Sequence, residues 1–139
     1  MTELIEFANS HPLLALTVLG SLFAVIANEL RLKSMGLTSV TTTTAVHLIN
    51  KGATILDVRN ANEYSDGHIV NAKNIELGTL EADPSQLKKA RNKVVLTVCD
   101  NGSAAGKAAN ALRKAGFESV FSLKGGLGAW RADNLPIVK

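Results

Sequence analysis

The sequence is short of cysteine, histidine and aromatic residues, and each shortage removes a class of function. Cys99 is the single cysteine, which excludes an internal disulfide. With His11, His47 and His68 scattered along the chain, it also leaves no paired-ligand spacing for a zinc site. A thiol redox cycle within the chain is disfavoured too, because no second thiol could resolve a disulfide. Aromatics make up 4% of the 139 residues and hydrophobic residues 46%, so the apolar content is mostly Ala, Val, Ile and Leu. That is the composition of buried parallel strands and amphipathic helices, and it favours an α/β fold. Fifteen Lys and Arg lie among twelve Asp and Glu, for a formal net charge of +3, and no basic run interleaves with aromatics. A nucleic-acid partner is therefore not expected. The length suits one ordinary domain with an appendage.

The appendage is at the N-terminus. Leu13 to Ala27 reads LLALTVLGSLFAVIA, and the uncharged stretch extends over residues 7–28. The apolar run alone is shorter than the ~20 residues that span a hydrocarbon core, but the uncharged window is long enough. A buried helix of a soluble fold would carry polar residues every third or fourth position, and this segment offers only Thr17, Gly20 and Ser21. A signal peptide cleaved after the small-residue pattern Val25, Ile26, Ala27 would open with positive charge, where this chain has Glu3 and Glu6. The expectation is a single-pass transmembrane helix. Arg31, Lys33 and Lys51 follow the span and no Lys or Arg precedes it, which orients the C-terminal domain toward the cytoplasm. Residues 1–37 then form anchor and linker, with the linker from about Asn28 to Leu37, and residues 38–139 form the domain.

From Thr38 onward strand-like and helix-like pieces alternate. A helix is expected within residues 41–50, closed by Gly52, then a buried strand Ala53 to Val58 and a helical turn Asn62 to Asp66. A short strand follows at Ala72 to Ile75 and a helical piece at Ser85 to Ala90. Lys93 to Val98 is the clearest buried strand, followed by a helix from about Ala104 to Ala115 ended by Gly116. A last strand at Val120 to Leu123 and a Gly-rich turn lead to a helix around Trp130. The alternation implies a parallel sheet with helices on both faces, and a site at the carboxyl ends of the strands, where Asp57 to Arg59 and Cys99 fall.

Cys99 ends a Val-rich strand, and its position alone suits a small buried hydrophobe. The residues after it change that: Asp100, Asn101, Gly102, Ser103, Ala104 and Ala105 let the backbone curl and aim N–H groups and a helix N-terminus at the sulfur. Such a turn stabilises a thiolate and cradles an anion.

A series of motifs is more specific. ILDVR at residues 55–59, Glu63 with Tyr64, Gly67-His68-Ile69, AKNI at 72–75, VVLTVC at 94–99 with Gly102, and LKGGLGAW at 123–130 follow one another over about a hundred residues. This series, with TTTAVHLI at 42–49 before it, resembles the rhodanese family. The resemblance implies a compact α/β domain with a central parallel sheet flanked by helices; no cofactor and no metal are expected. It implies that Cys99 accepts sulfane sulfur as a persulfide and that the backbone of Asp100 to Ala105 holds it. Asp57, Arg59, Glu63 and His68 match framework positions: Asp57 and Arg59 are expected to fix the strand end by an ion pair, and His68 to stabilise a turn. Trp130 is expected in the core, and Gly125 and Gly126 serve a tight turn.

The loop departs from a thiosulfate-binding one in having no cation. Asp100 instead follows the nucleophile, where a carboxylate disfavours both the thiolate and a dianionic donor; Lys107 and Lys124 would compensate if they reach the pocket. Asn71 stands where Gly usually follows the GlyHisIle motif by one residue, in a turn where Asn tolerates a left-handed conformation. Phosphatases of similar architecture carry an arginine five residues beyond the cysteine's neighbour, and here that place is Ala105, which cannot grip a phosphoryl group. Two functions remain in view. One is a membrane-anchored sulfurtransferase that takes sulfur from a small donor or a protein persulfide; the other is a non-catalytic, rhodanese-fold interaction module tethered beside a membrane-protein partner.

Overall fold

The computed structural model describes residues 10–36 and 38–139, side chains of residues 31–36 excepted. Glu3, Glu6, residues 7–9 of the uncharged window and Leu37 lie outside the described residues. The chain divides into two compact units, the second being Thr38–Lys139.

The first unit contains helix α1 (Pro12–Gly36). Proline suits the first helical turn, where its missing N–H costs nothing. Residues 12–30 are long and apolar enough to cross a membrane, and none of that span is buried. The hydroxyls of Thr17 and Ser21 donate to the carbonyls of Leu14 and Val18, each at 2.8 Å, so these polar groups are satisfied within the helix. The linker expected at 28–37 is helical up to Gly36. Glu29, Leu30, Arg31, Leu32 and Lys33 are good helix formers, and no breaker interrupts them before Gly36.

The second unit is built on a five-stranded parallel sheet. Its elements are β1 (Ser39–Val40), α2 (Thr42–Asn50), β2 (Thr54–Asp57), α3 (Ala61–Asp66), β3 (His68–Ile69), β4 (Lys73–Asn74), α4 (Leu77–Ala82), a 3₁₀ helix (Pro84–Ala90), β5 (Val95–Val98), α5 (Ser103–Lys114), β6 (Val120–Leu123), α6 (Gly126–Ala132) and β7 (Ile137–Val138). The sheet order is β1-β6-β5-β2-β4, and β3 pairs with β7 in a separate antiparallel ribbon.

Side chains alternate across the central strands, and each face collects its own core. Val95 of β5, Leu56 of β2 and Val120 of β6 pack under Leu80, Leu87, Ala108, Ala109 and Leu112 from α4, the 3₁₀ helix and α5. Leu96, Val98, Ile55 and Leu123 point the other way, to Ala45 of α2 and to Leu127 and Trp130 of α6. Continuation of the same alternation brings Cys99 into the α5-side core. Local chemistry sets the boundaries. The Thr41 side chain caps α2, Asn60 and Glu63 form a reciprocal capping box on α3, and Gly116, at φ +93°, follows the end of α5.

Four elements differ from sequence expectation. α4 was not expected: it is six residues long, contains Gly78 and buries Leu80 alone, too little for a periodic signal. The piece at Ser85 to Ala90 is a 3₁₀ helix from Pro84, interrupted by non-helical geometry at Leu87. β3 and β7 are two-residue strands, each too short to alternate visibly.

Candidate functional site

The site forms at the carboxyl end of the sheet. Asp57 and Val98 are register partners on β2 and β5, and the Val58 N–H donates to the Val98 carbonyl at 3.0 Å. Cys99 is the next residue along β5 and is 3% exposed. Its Sγ accepts the N–H of Gly102 at 3.0 Å and that of Ala105 at 3.3 Å, while the thiol faces the Asn101 Oδ1 at 3.9 Å. Asn101 Oδ1 also accepts the Ser103 N–H at 3.0 Å, closing the turn that starts α5. Gly102 makes that turn possible: its φ is +93°, and a Cβ there would lie 3.1 Å from both the Leu123 carbonyl oxygen and the Gly125 nitrogen. Backbone donors and the N-terminus of a twelve-residue helix thus converge on one sulfur, an arrangement that favours negative charge there.

The turn after β6 braces this loop from outside. The Leu127 N–H donates to the Cys99 carbonyl at 2.8 Å and the Gly128 N–H to the Asp100 carbonyl at 3.0 Å. Gly126 sits so close that a Cβ would fall 2.2 Å from the Cys99 carbonyl oxygen. The GlyGly pair therefore does more than turn the chain: it allows a second strand end to lie against the cysteine loop. Sequence inspection sees Gly-Gly as a turn signal, and the missing part is the long-range contact, which no local pattern encodes. Beneath the loop the buried Thr97 hydroxyl donates to the Ala105 carbonyl at 2.8 Å. Ala105 itself is wholly buried.

Arg59 joins the remaining pieces. Its Nε and Nη2 form a bidentate pair with Asp57, the shortest contact being 2.7 Å, with both side chains almost wholly buried. Nη2 also donates to the Gly67 carbonyl at 2.8 Å, and Nη1 reaches Asp100 Oδ1 at 3.4 Å. Burial lowers the Arg59 pKa, but the hydrogen bond and charge of Asp57, with the charges of Asp100 and Glu63, outweigh it and hold the guanidinium above its ordinary value. Asp100 was expected to bring an uncompensated carboxylate to the sulfur. Its side chain is instead 58% exposed and paired with Arg59, a contact made across the strand ends from forty-one residues away.

The other framework residues act further out. Glu63 is occupied in the α3 capping box. His68 stacks on Tyr64 with ring centroids 3.8 Å apart, and its Nδ1 lies 2.9 Å from the Tyr64 carbonyl. Asn71 has φ +63°, in the left-handed region. Trp130 is buried and donates from Nε1 to the Pro136 carbonyl at 3.0 Å. Lys107 and Lys124 are exposed and make no ion pair or hydrogen bond with the loop among the described residues. Asn74, which sequence reading passed over, donates to the carbonyls of Asp57 and Arg59 and so ties β4 to the same strand end.

A parallel α/β sheet that ends in a cysteine cupped by the amides of the following turn defines a class of single-cysteine loop domains. The chain belongs to the rhodanese-like domain family, which it matches over residues 41–133. It is homologous to the uncharacterized protein YibN of Escherichia coli K12, 33% identical over 141 residues that cover all of this chain and 99% of YibN. The thiosulfate sulfurtransferase GlpE of Shewanella oneidensis is 37% identical over 84 residues, covering 60% of this chain and 81% of GlpE. Among solved structures, a rhodanese-related protein from Thermoplasma volcanium superposes with a TM-score of 0.65 at 28% identity, covering 72% of this chain and 96% of its own.

The bracing contact gives a direct expectation. Gly126→Ala places a methyl group against the Cys99 carbonyl at a positive-φ position, so the full-length protein should lose at least about 1 kcal/mol of stability. Urea unfolding measures it. A midpoint equal to wild type would mean that the turn yields without strain and does not brace the loop.

Proposed function

We propose that the protein is a membrane-anchored sulfurtransferase that carries sulfane sulfur as a persulfide on Cys99. The observation that carries this is the pair of backbone N–H groups, from Gly102 and Ala105, directed at Sγ at the start of α5. The likeness to GlpE, a thiosulfate sulfurtransferase, supports it. In the proposed chemistry the Cys99 sulfur attacks the outer sulfur of a donor. The donor's S–S bond breaks and its electron pair leaves with the donor, as sulfite from thiosulfate or as a thiolate from a persulfide. No metal or cofactor takes part. The loop amides hold the anionic sulfur, Asp57 and Arg59 fix the strand end, and Arg59 offsets the charge of Asp100.

Anchoring rests on the unburied apolar span of residues 12–30. The acidic residues before it and Arg31 and Lys33 after it favour a retained span, with the domain on the cytoplasmic side, over a cleaved leader. A tethered, non-catalytic interaction module is the second reading, favoured by the near-complete burial of Cys99 and by Asp100 in the loop.

Incubation with thiosulfate or a small persulfide should add one sulfur to the intact mass of wild-type protein and none to Cys99→Ala. Failure of both donors to load Cys99 would favour the interaction module. Carbonate extraction should leave the full-length chain in the membrane fraction, with the domain sheltered from protease outside intact cells; release into the soluble fraction contradicts the anchor. Asp100→Asn removes the carboxylate that faces Arg59 Nη1 and adds one net positive charge at the loop. Because the Asp100 carboxylate is 58% exposed, the thiosulfate rate should rise by a few-fold at most, and the rate with a neutral persulfide should rise less. Equal responses to both donors would remove the electrostatic role assigned to Asp100.

A further inference from the structure

The charge of the second unit is unevenly placed. Thr38–Lys139 carries thirteen Lys and Arg against nine Asp and Glu, a net of +4. All of that excess lies in residues 81–93 and 107–118, which hold seven cations and three anions, while the rest of the unit balances at six of each. Both segments pack on the same side of the sheet, through Leu87, Ala90, Ala108, Leu112 and Phe117. Their surface contains two adjoining clefts of 250 and 560 Å³ that share Pro84 and Ala115 and are lined by Lys88, Arg91, Lys107 and Lys114. Lys88, Lys107 and Lys114 are exposed, and among the described residues the ion pairs are both made by Arg59, so none of these lysines is in an ion pair, although the charge of Lys88 acts on the nearby Asp83 carboxylate. Arg91 is held in place by its 2.6 Å hydrogen bond to the Ala115 carbonyl.

The placement on α5 links this surface to the sulfur. Ser103, Lys107, Asn110 and Lys114 follow one another at helical spacing of three or four, so they form one stripe on the helix. The stripe begins in the turn that cups Sγ and runs ~17 Å to Lys114 at 1.5 Å per residue. We infer that the face formed by α4, the 3₁₀ helix and α5 docks an acidic protein surface whose cysteine exchanges sulfur with Cys99. This rests on the persulfide function proposed above and names the partner's chemistry. Glu81 and Asp83 on the cleft rim, and the absence of an exposed aromatic in either segment, fit a protein with interspersed carboxylates better than a continuous phosphate chain. In the transfer, the new S–S bond forms between Cys99 and the outer sulfur of the partner persulfide. The old S–S bond breaks, its electron pair stays on the partner sulfur, and that sulfur takes a proton; a thiol and a persulfide simply exchange, with no external oxidant.

The test uses the full-length protein in detergent and three donors: free cysteine persulfide, a glutamate-rich peptide with a terminal cysteine persulfide, and the same peptide with glutamine at each glutamate. At low ionic strength the glutamate peptide should load Cys99 about tenfold faster than the glutamine peptide, and the difference should fade at high salt. Lys88→Glu combined with Lys114→Glu should abolish or reverse the preference while leaving the rate with free cysteine persulfide unchanged. Equal loading by the two peptides, or a preference that survives the charge reversal, overturns the docking surface. A short single-stranded RNA that displaces the glutamate peptide at lower concentration than the peptide's own would assign the face to nucleic acid instead. If no donor loads Cys99, the sulfur-carrier function fails, and anisotropy of a fluorescent glutamate peptide still reads docking: salt-sensitive binding lost on charge reversal supports the surface, and no binding overturns it.

Discussion

The buried guanidinium of Arg59 touches three separate stretches of chain: Asp57 at the end of β2, the Gly67 carbonyl before β3, and Asp100 in the cysteine loop. A desolvated pair of this kind has little net stabilising value over a well-packed apolar substitute, and removing one partner costs about 3–5 kcal/mol because the other charge is left buried. What the pair provides here is geometry. The strand end cannot shift without breaking a bidentate contact, and the cysteine loop is registered against that fixed end by Val58 and Val98. The loop's own hydrogen bonds operate inside this frame.

A second constraint comes from the other side. The turn at Gly125 and Gly126 lies against the Cys99 and Asp100 backbone, so the loop is held between β2 and β6, the two neighbours of its own strand. The donors at Gly102 and Ala105 are therefore preset before any ligand arrives. Preset dipoles do not have to reorganise when charge develops, which is how a site with no cation in its loop can still favour an anionic sulfur.

Much of this was legible in the sequence because it is local and periodic. VVLTV announces a strand buried on both faces, Gly116 ends the helix that begins after Gly102, and the ordered motifs from ILDVR to LKGGLGAW place Cys99 at a strand end. The features that escaped are either too short or too distant in sequence. α4 buries one leucine, and β3 and β7 are two residues each. The Arg59 contact to Asp100 and the Gly126 contact to Cys99 join residues that no spacing rule relates. Asp100 shows the difference most clearly: its charge is visible in the sequence, while the cation that answers it is visible only once β2 and β5 lie side by side.

The pairing of β1 with β6 sets the order in which this unit can be completed. Ser39 and Val40 open the unit, yet their partners are Ser122 and Leu123, more than eighty residues later. During synthesis the first strand emerges long before anything exists for it to bond with, and the turn that braces the cysteine loop follows immediately after the late strand. Closure of such a sheet waits on distant contacts and is correspondingly slow. The brace thus reaches the cysteine loop only when nearly the whole unit has left the ribosome, so a chain halted midway holds the loop without the contacts that fix it from the β6 side.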